Sequence, residues 1–222
     1  VSERAQLRLS ELVRLNGTDP ETVDKQRYAA ILSEGISLAE QAVLLDNTNP
    51  ANYLLLTNFY GLLDPKEFEG LRERTEGLFA KARELDSTNP GYFVLQAQYM
   101  ARVGDLEAAR KNLQDAIAIK GDYTDALFLL SQLDIQEGKT EDALAITRSI
   151  ITIEPTNPTR YFQLGILLAT TNKVAEAVGA FETAVSLDNS YANARYFLAL
   201  TYLDFDRKED ALIQLRLVQE SN

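Results

Sequence analysis

The side chains that do most protein chemistry are missing from this chain: its 222 residues include no His, no Cys and no Trp. Without His there is no imidazole to hold a metal and no general base poised near neutral pH. Without Cys there is no thiolate nucleophile and no disulfide framework, so the compartment stays open to reducing and oxidising surroundings alike. Neither a glycine-rich phosphate loop nor a Gly-x-Ser-x-Gly nucleophile turn is present. Catalysis would have to rest on paired carboxylates. The chain has 33 Asp and Glu, but they follow amphipathic patterns in which acids form a solvated face. No pair stands out, so neither an enzyme active site nor a cofactor is expected. Asn16-Gly17-Thr18 is formally a glycosylation sequon; Asn-Gly is also a turn signal, and a helix-ending turn is the expected reading. Amides and aromatic rings remain. Amides both donate to and accept from a peptide backbone, and rings serve as apolar anchors, provided the fold lines them up.

Composition narrows the partners. Lys and Arg number 22 against those 33 acids, a formal charge of −11. Such a field repels polyanions, which excludes nucleic acid as a favoured ligand, and disfavours an anionic membrane surface. With 45% hydrophobic and 25% charged residues, the chain is globular in character and long enough for a sizeable core. No stretch approaches the apolar run needed to span a bilayer, and no signal peptide is visible. The chain opens at Val1 without an initiator Met and reads as a segment of a longer protein, its compartment undetermined.

A repeat supplies the elements. Thr-Asn-Pro recurs at Thr48-Asn49-Pro50, Thr88-Asn89-Pro90 and Thr156-Asn157-Pro158. Pro90 and Pro158 lie 68 residues apart, twice 34. Counting in 34s from Pro90 gives units at 90–123, 124–157, 158–191 and 192–222 without a gap. Place 20 then holds Ala109, Ala143, Ala177 and Ala211, and place 8 holds Ala97, Ser131, Gly165 and Ala199. Place 24 holds Leu113, Thr147, Phe181 and Leu215; place 27 holds Ala116, Ile150, Ala184 and Val218. Small residues at places 8 and 20 let two helices approach, and larger ones at places 7 (Leu130, Leu164, Leu198) and 24 fill the space beside them.

Local chemistry agrees with the period. Asn before Pro suits a helix start, because Asn accepts from free N–H groups and Pro tolerates the first helical position. Halfway through each unit sit Gly104, Gly138, Asn172 and Asp206, types that take the left-handed conformation ending a helix. Asp105 and Thr140 are then expected caps for the second helix.

This 34-residue helix–turn–helix with small residues at places 8, 20 and 27 resembles the tetratricopeptide repeat. The resemblance implies an all-α, right-handed superhelix of about 12 antiparallel helices, with 1–222 forming one solenoid. Residues 50–89 form a lengthened unit with Tyr53, Leu56, Tyr60, Phe79 and Ala82 at matching places. Its six extra residues lie in or beside Gly61–Gly70. Residues 1–49 read as a degenerate capping pair, with helices near 2–16 and 21–45 broken at 16–20. Asp134, Thr147 and Arg195 depart from the family's usual large apolar residues and warn against ideal packing there.

The resemblance also implies an inner groove lined by places 2, 5, 9, 12 and 13 of each first helix, which helical spacing places in one stripe. The groove residues are then Asn58, Val94, Gln98, Arg102, Phe128, Gln132, Gln136, Phe162, Ile166, Tyr196 and Leu200. Place 5 is an apolar ladder; place 9 begins as amides and turns apolar. The alternative for Phe128, Phe162 and Tyr196 is that they pack against neighbouring helices. The Lys and Asn pattern by which some family members grip a terminal carboxylate is absent: place 5 carries no Lys, and only Asn58 matches. The function implied is a non-catalytic scaffold that binds a peptide or protein in the groove. The alternative is a structural or oligomerising repeat region, self-associating through a C-terminal face that has no polar capping helix. Tyr161-Phe162-Gln163-Leu164-Gly165 and Tyr191–Leu198 are similar to bacterial repeat tails that follow membrane proteins of the O-antigen ligase or polymerase type.

Overall fold

The computed structural model describes residues 1–17 and 24–220 and contains twelve helices among them. They fall into two compact units, Val1–Ile119 and Lys120–Asn222. The first holds α1 (Ser2–Asn16), α2 (Lys25–Leu45), α3 (Pro50–Tyr60), α4 (Leu71–Leu85), α5 (Gly91–Arg102) and α6 (Leu106–Ile119). The second holds α7 (Thr124–Gln136), α8 (Thr140–Ile153), α9 (Pro158–Thr170), α10 (Val174–Leu187), α11 (Ala192–Asp204) and α12 (Lys208–Glu220). In each unit consecutive helices pack as pairs, α1 on α2 through α11 on α12.

The helix ends follow from the residues at them. Asn49 accepts from the Ala51 N–H at 3.0 Å and Asn157 from the Thr159 N–H at 3.1 Å, each with Pro next in line. Asn89 does the same for Gly91 at 3.0 Å. Each side chain satisfies a donor that the first helical turn leaves free. Gly104, Gly138, Asn172 and Asp206 have φ of 86°, 75°, 60° and 55°, the left-handed turn that stops the first helix of a pair. Asp105 caps α6 through the Ala108 N–H at 3.0 Å. Thr140 differs from expectation. It is the first residue of α8 rather than its cap, and its hydroxyl points back to the Gly138 carbonyl at 3.4 Å.

The small residues sit where helices touch. Ala109, Ala143, Ala177 and Ala211 are each at most 1% exposed, and Ala97, Ser131 and Ala199 at most 2%. In the second unit the core runs through Leu144, Leu168, Phe181, Ala184, Leu198 and Tyr202. In the first it gathers Leu12, Ile31, Leu38, Leu55 and Phe59. The three departures from the repeat pattern are accommodated polar groups. Thr147 is buried with its hydroxyl donating to the Ala143 carbonyl at 2.8 Å, and Arg195 donates to the Asn189 carbonyl and to Gln214. Asp134 is 2% exposed.

The N-terminal pair shows one correction. By length and composition alone, the 21-residue α2 is apolar enough to cross a bilayer, which the run of residues did not suggest. Here its buried stripe, Ile31, Gly35, Leu38, Ala39 and Ala42, faces protein, in a cluster that α1 and α3 share. Asp24 caps it by accepting from the N–H groups of Gln26 and Arg27. Most of the expected break at 16–20, Thr18 of the sequon and the expected start at residue 21 lie outside the described residues.

Candidate functional site

In the first unit, α3 and α5 bring together three of the residues expected on the groove. Asn58, Gln98 and Arg102 line one cleft of about 250 Å³, with Phe79, Leu95 and Tyr99 as its apolar wall. Asn58 and Gln98 stand at place 9 of their units, and Arg102 lies one helical turn beyond Gln98. Val94 is not available there: it is 6% exposed and belongs to the core. A second cavity of about 570 Å³ adjoins the first through Leu62 and Arg102 and is walled by the lengthened segment Leu62–Lys66. That segment is pinned by its own turn, in which the Asp64 carboxylate accepts from the Lys66 N–H at 2.9 Å.

In the second unit the expected residues divide into packed and free. Phe162 is half-buried in a ring cluster, with centroids 5.3 Å from Tyr191, 5.5 Å from Phe197 and 5.9 Å from Phe181. Ile166 packs against the same core. The Arg160 guanidinium lies 5.7 Å from the Phe128 ring, and Arg160 is itself held by Glu154 at 2.8 Å. Hydrogen bonds from Arg160, Thr124 and Asn157 hold the Glu154 carboxyl down at about 2. Phe162 therefore acts first as a packing residue, while Phe128 is half-buried beside Arg160. Tyr196 and Leu200, one turn apart on α11, are 46% and 39% exposed. On the core side of α11, the Tyr202 hydroxyl donates to Glu182 at 2.7 Å. Burial first, and then Glu182, push its pKa up to about 12.

Among the described residues, four amides on the first helices of the pairs are unused, whereas Asn52, Gln96 and Gln163 are hydrogen-bonded. Asn58, Gln98, Gln132 and Gln136 are exposed, and among the described residues their side chains make no hydrogen bond. Their donors and acceptors face solvent beside apolar neighbours, the arrangement that recognises a peptide backbone. Among the described residues no three His, Cys, Asp or Glu side chains are grouped so as to hold a metal ion. Apolar side chains also stand free around the last pair: Leu203 and Phe205 at the end of α11, and Leu212, Ile213 and Leu217 on α12, are 37–53% exposed.

Sequence reasoning singled out the lengthened segment that holds Leu62 but missed Tyr99 and the cleft it helps to form. Tyr99 follows the place-9 amide directly and carried no separate signal, and a loop's path is not written in its residue types.

Sequence models of the tetratricopeptide repeat match residues 101–165 and 162–221. A peroxisomal targeting signal receptor from Kluyveromyces lactis is 24% identical over 182 residues, covering 80% of this chain and 31% of the receptor. The chain thus spans about a third of that relative's length. Among solved structures, YrrB, described as a tetratricopeptide-repeat protein with an unusual peptide-binding site, is 21% identical, with a TM-score of 0.56 over 83% of this chain and 92% of YrrB. MamA from Desulfovibrio magneticus is 15% identical, with a TM-score of 0.58 over 74% of this chain and 94% of MamA. At these identities the likeness to the solved structures establishes the fold.

Proposed function

Because this chain belongs to the tetratricopeptide-repeat family, we propose that it is a non-catalytic scaffold that holds another polypeptide against the first helices of its pairs. The observation that carries this reading is the unused amides on first helices, Asn58 and Gln98 in the first unit and Gln132 and Gln136 in the second, with Tyr196 and Leu200 of the second unit also exposed. Asn58, Gln98 and Gln132 hold place 9 of successive units, and Tyr196 and Leu200 stand on the first helix of the last unit. An extended or helical peptide uses both, the amides for its backbone and the apolar residues for its side chains. YrrB and the targeting-signal receptor bear names that speak of binding peptides or signals, and the reading extends that role to this chain.

The test is a random peptide library selected on the immobilised chain, followed by titration of a selected peptide against variants. Gln132→Ala and the pair Tyr196→Ser with Leu200→Ser should weaken binding about tenfold while moving the melting temperature by less than a degree or two, since truncating an interface contact costs about 1–2 kcal/mol. A library that enriches no peptide, or a selected peptide indifferent to all of these changes, rejects this scaffold surface.

A second reading rests on Leu203, Phe205, Leu212, Ile213 and Leu217, large apolar side chains each 37–53% exposed on the last helix pair. Self-association through it would make the chain an oligomerising element. Light scattering decides this: a mass that rises with concentration, and falls back for Ile213→Glu, supports it, and a strict monomer at high concentration rejects it.

A further inference from the structure

We propose that the double cleft between α3, α5 and the segment Leu62–Lys66 is a docking site for a peptide that presents a carboxylate side chain next to an apolar one. This rests on the scaffold reading and assigns it a ligand chemistry at one place.

Three observations point the same way. The first is Tyr99. It is 5% exposed, lines the smaller cleft, and its hydroxyl is buried without a hydrogen-bond partner among the described residues. A buried hydroxyl normally has a partner, and this one, on a residue that lines a cleft, is a hydrogen-bonding position that a group seated deep in the cleft would fill. The second is Arg102. Its guanidinium lies 5.3 Å from the Tyr99 ring centroid, and no carboxylate comes within ion-pair distance of it among the described residues. Gly61 leaves room for it: a side-chain carbon there would stand 3.1 Å from Arg102 Nη2. In a chain where acids outnumber bases 33 to 22, most cations find a carboxylate; this one is stacked on a ring and faces two cavities at once. The third is the lining. Lys66 adds to the larger cavity a second cation without a carboxylate partner among the described residues, so that with Arg102 two positive charges stand against the one acid of the lining, Asp64, whose carboxylate accepts the Lys66 N–H. Leu62, Leu63 and Pro65 make the remaining wall apolar.

The chemistry follows. A carboxylate accepts charge-assisted hydrogen bonds from Arg102 and has a spare lone pair within the same cleft for the Tyr99 hydroxyl. The amides of Asn58 and Gln98 receive the adjoining backbone, and the neighbouring apolar side chain fills the wall of leucines. The larger cavity, at about 570 Å³, falls in the size range of ligand-binding clefts rather than of packing defects. The lengthened unit therefore does more than tolerate extra residues: they build one side of the site.

The test titrates two blocked pentapeptides, Ala-Leu-Glu-Leu-Ala and its Gln counterpart, into the whole isotope-labelled chain and follows the amide and guanidinium signals by NMR. The Glu peptide should move Asn58, Gln98 and Arg102 saturably and bind at least tenfold tighter than the Gln peptide. Arg102→Gln should erase that preference, and Tyr99→Phe, which keeps the ring, should weaken the Glu peptide about threefold without unfolding the chain. Equal binding of the two peptides, an Arg102→Gln variant that keeps the preference, or no saturable shift in α3 and α5 would each overturn the proposal. Peptides that bind only at Tyr196 and Leu200 would overturn it while leaving the scaffold reading intact.

Discussion

Gly165→Ala should destabilise the second unit, although Ala is the better helix former. Gly165 lies inside α9, and a β-carbon there would stand 2.5 Å from Cε1 and 2.6 Å from Cδ1 of Phe181. Ordinary contact begins at 3.4 Å, so the ring would have to retreat by roughly 0.9 Å. It has nowhere to go: Phe181 is fully buried, with Phe162 at 5.9 Å and Phe197 at 6.1 Å between centroids. Overpacking of this kind costs about 1–3 kcal/mol, and replacing Gly by Ala in a helix returns about 1 kcal/mol. The net expectation is a loss of about 1 kcal/mol. Gly179, in α10, is the control, because a β-carbon there meets nothing within 4 Å. Gly179→Ala should gain about 1 kcal/mol. In thermal unfolding followed by circular dichroism the two variants should therefore move in opposite directions, by about 2–4 °C each. Phe181→Leu should rescue Gly165→Ala, with a coupling of about 1 kcal/mol in the double-mutant cycle. If Gly165→Ala stabilises as much as Gly179→Ala, close packing of place 8 on place 24 is not what fixes this pair.

Three further outcomes are expected. Phe162→Ala should cost about 2–3 kcal/mol because it opens the ring cluster, whereas Tyr196→Ala, on a side chain 46% exposed, should cost under about 0.5 kcal/mol; chemical denaturation separates them. Glu154, held at about 2 against an ordinary 4.5, has a lowered folded pKa, so its contribution is full above about pH 4.5 and is lost as pH falls towards 2. Glu154→Gln should cost about 1–2 kcal/mol at pH 7, allowing for partial solvent screening, and the gap should close on acidification; a gap independent of pH would refute the pairing with Arg160. Asn157→Ala should cost about 1 kcal/mol as a lost cap, while Thr140→Ala, outside the cap position of α8, should be close to neutral in the same melts.

Helix boundaries were legible because their causes are local. An Asn side chain reaches an N–H two residues on, as Asn49 and Asn157 do, and a left-handed stop needs only the residue that tolerates it, as at Gly104 or Asn172. The small residues at places 8 and 20 were legible for a related reason: contact between two helices of one pair is set by residues at fixed spacing. Residue types and spacing, read through the repeat, thus gave about twelve helices and their pairing, and twelve stand among the described residues. The tertiary structure decided which side chains those pairs leave free. Periodicity names a face of a helix, but whether Val94 is covered, Phe162 is caged by rings or Tyr196 stands in solvent depends on side chains from other helices. The path of Leu62–Lys66 was likewise a matter of packing. Only once that segment lies beside α5 does Arg102 line two adjoining cavities, one of them shared with Tyr99.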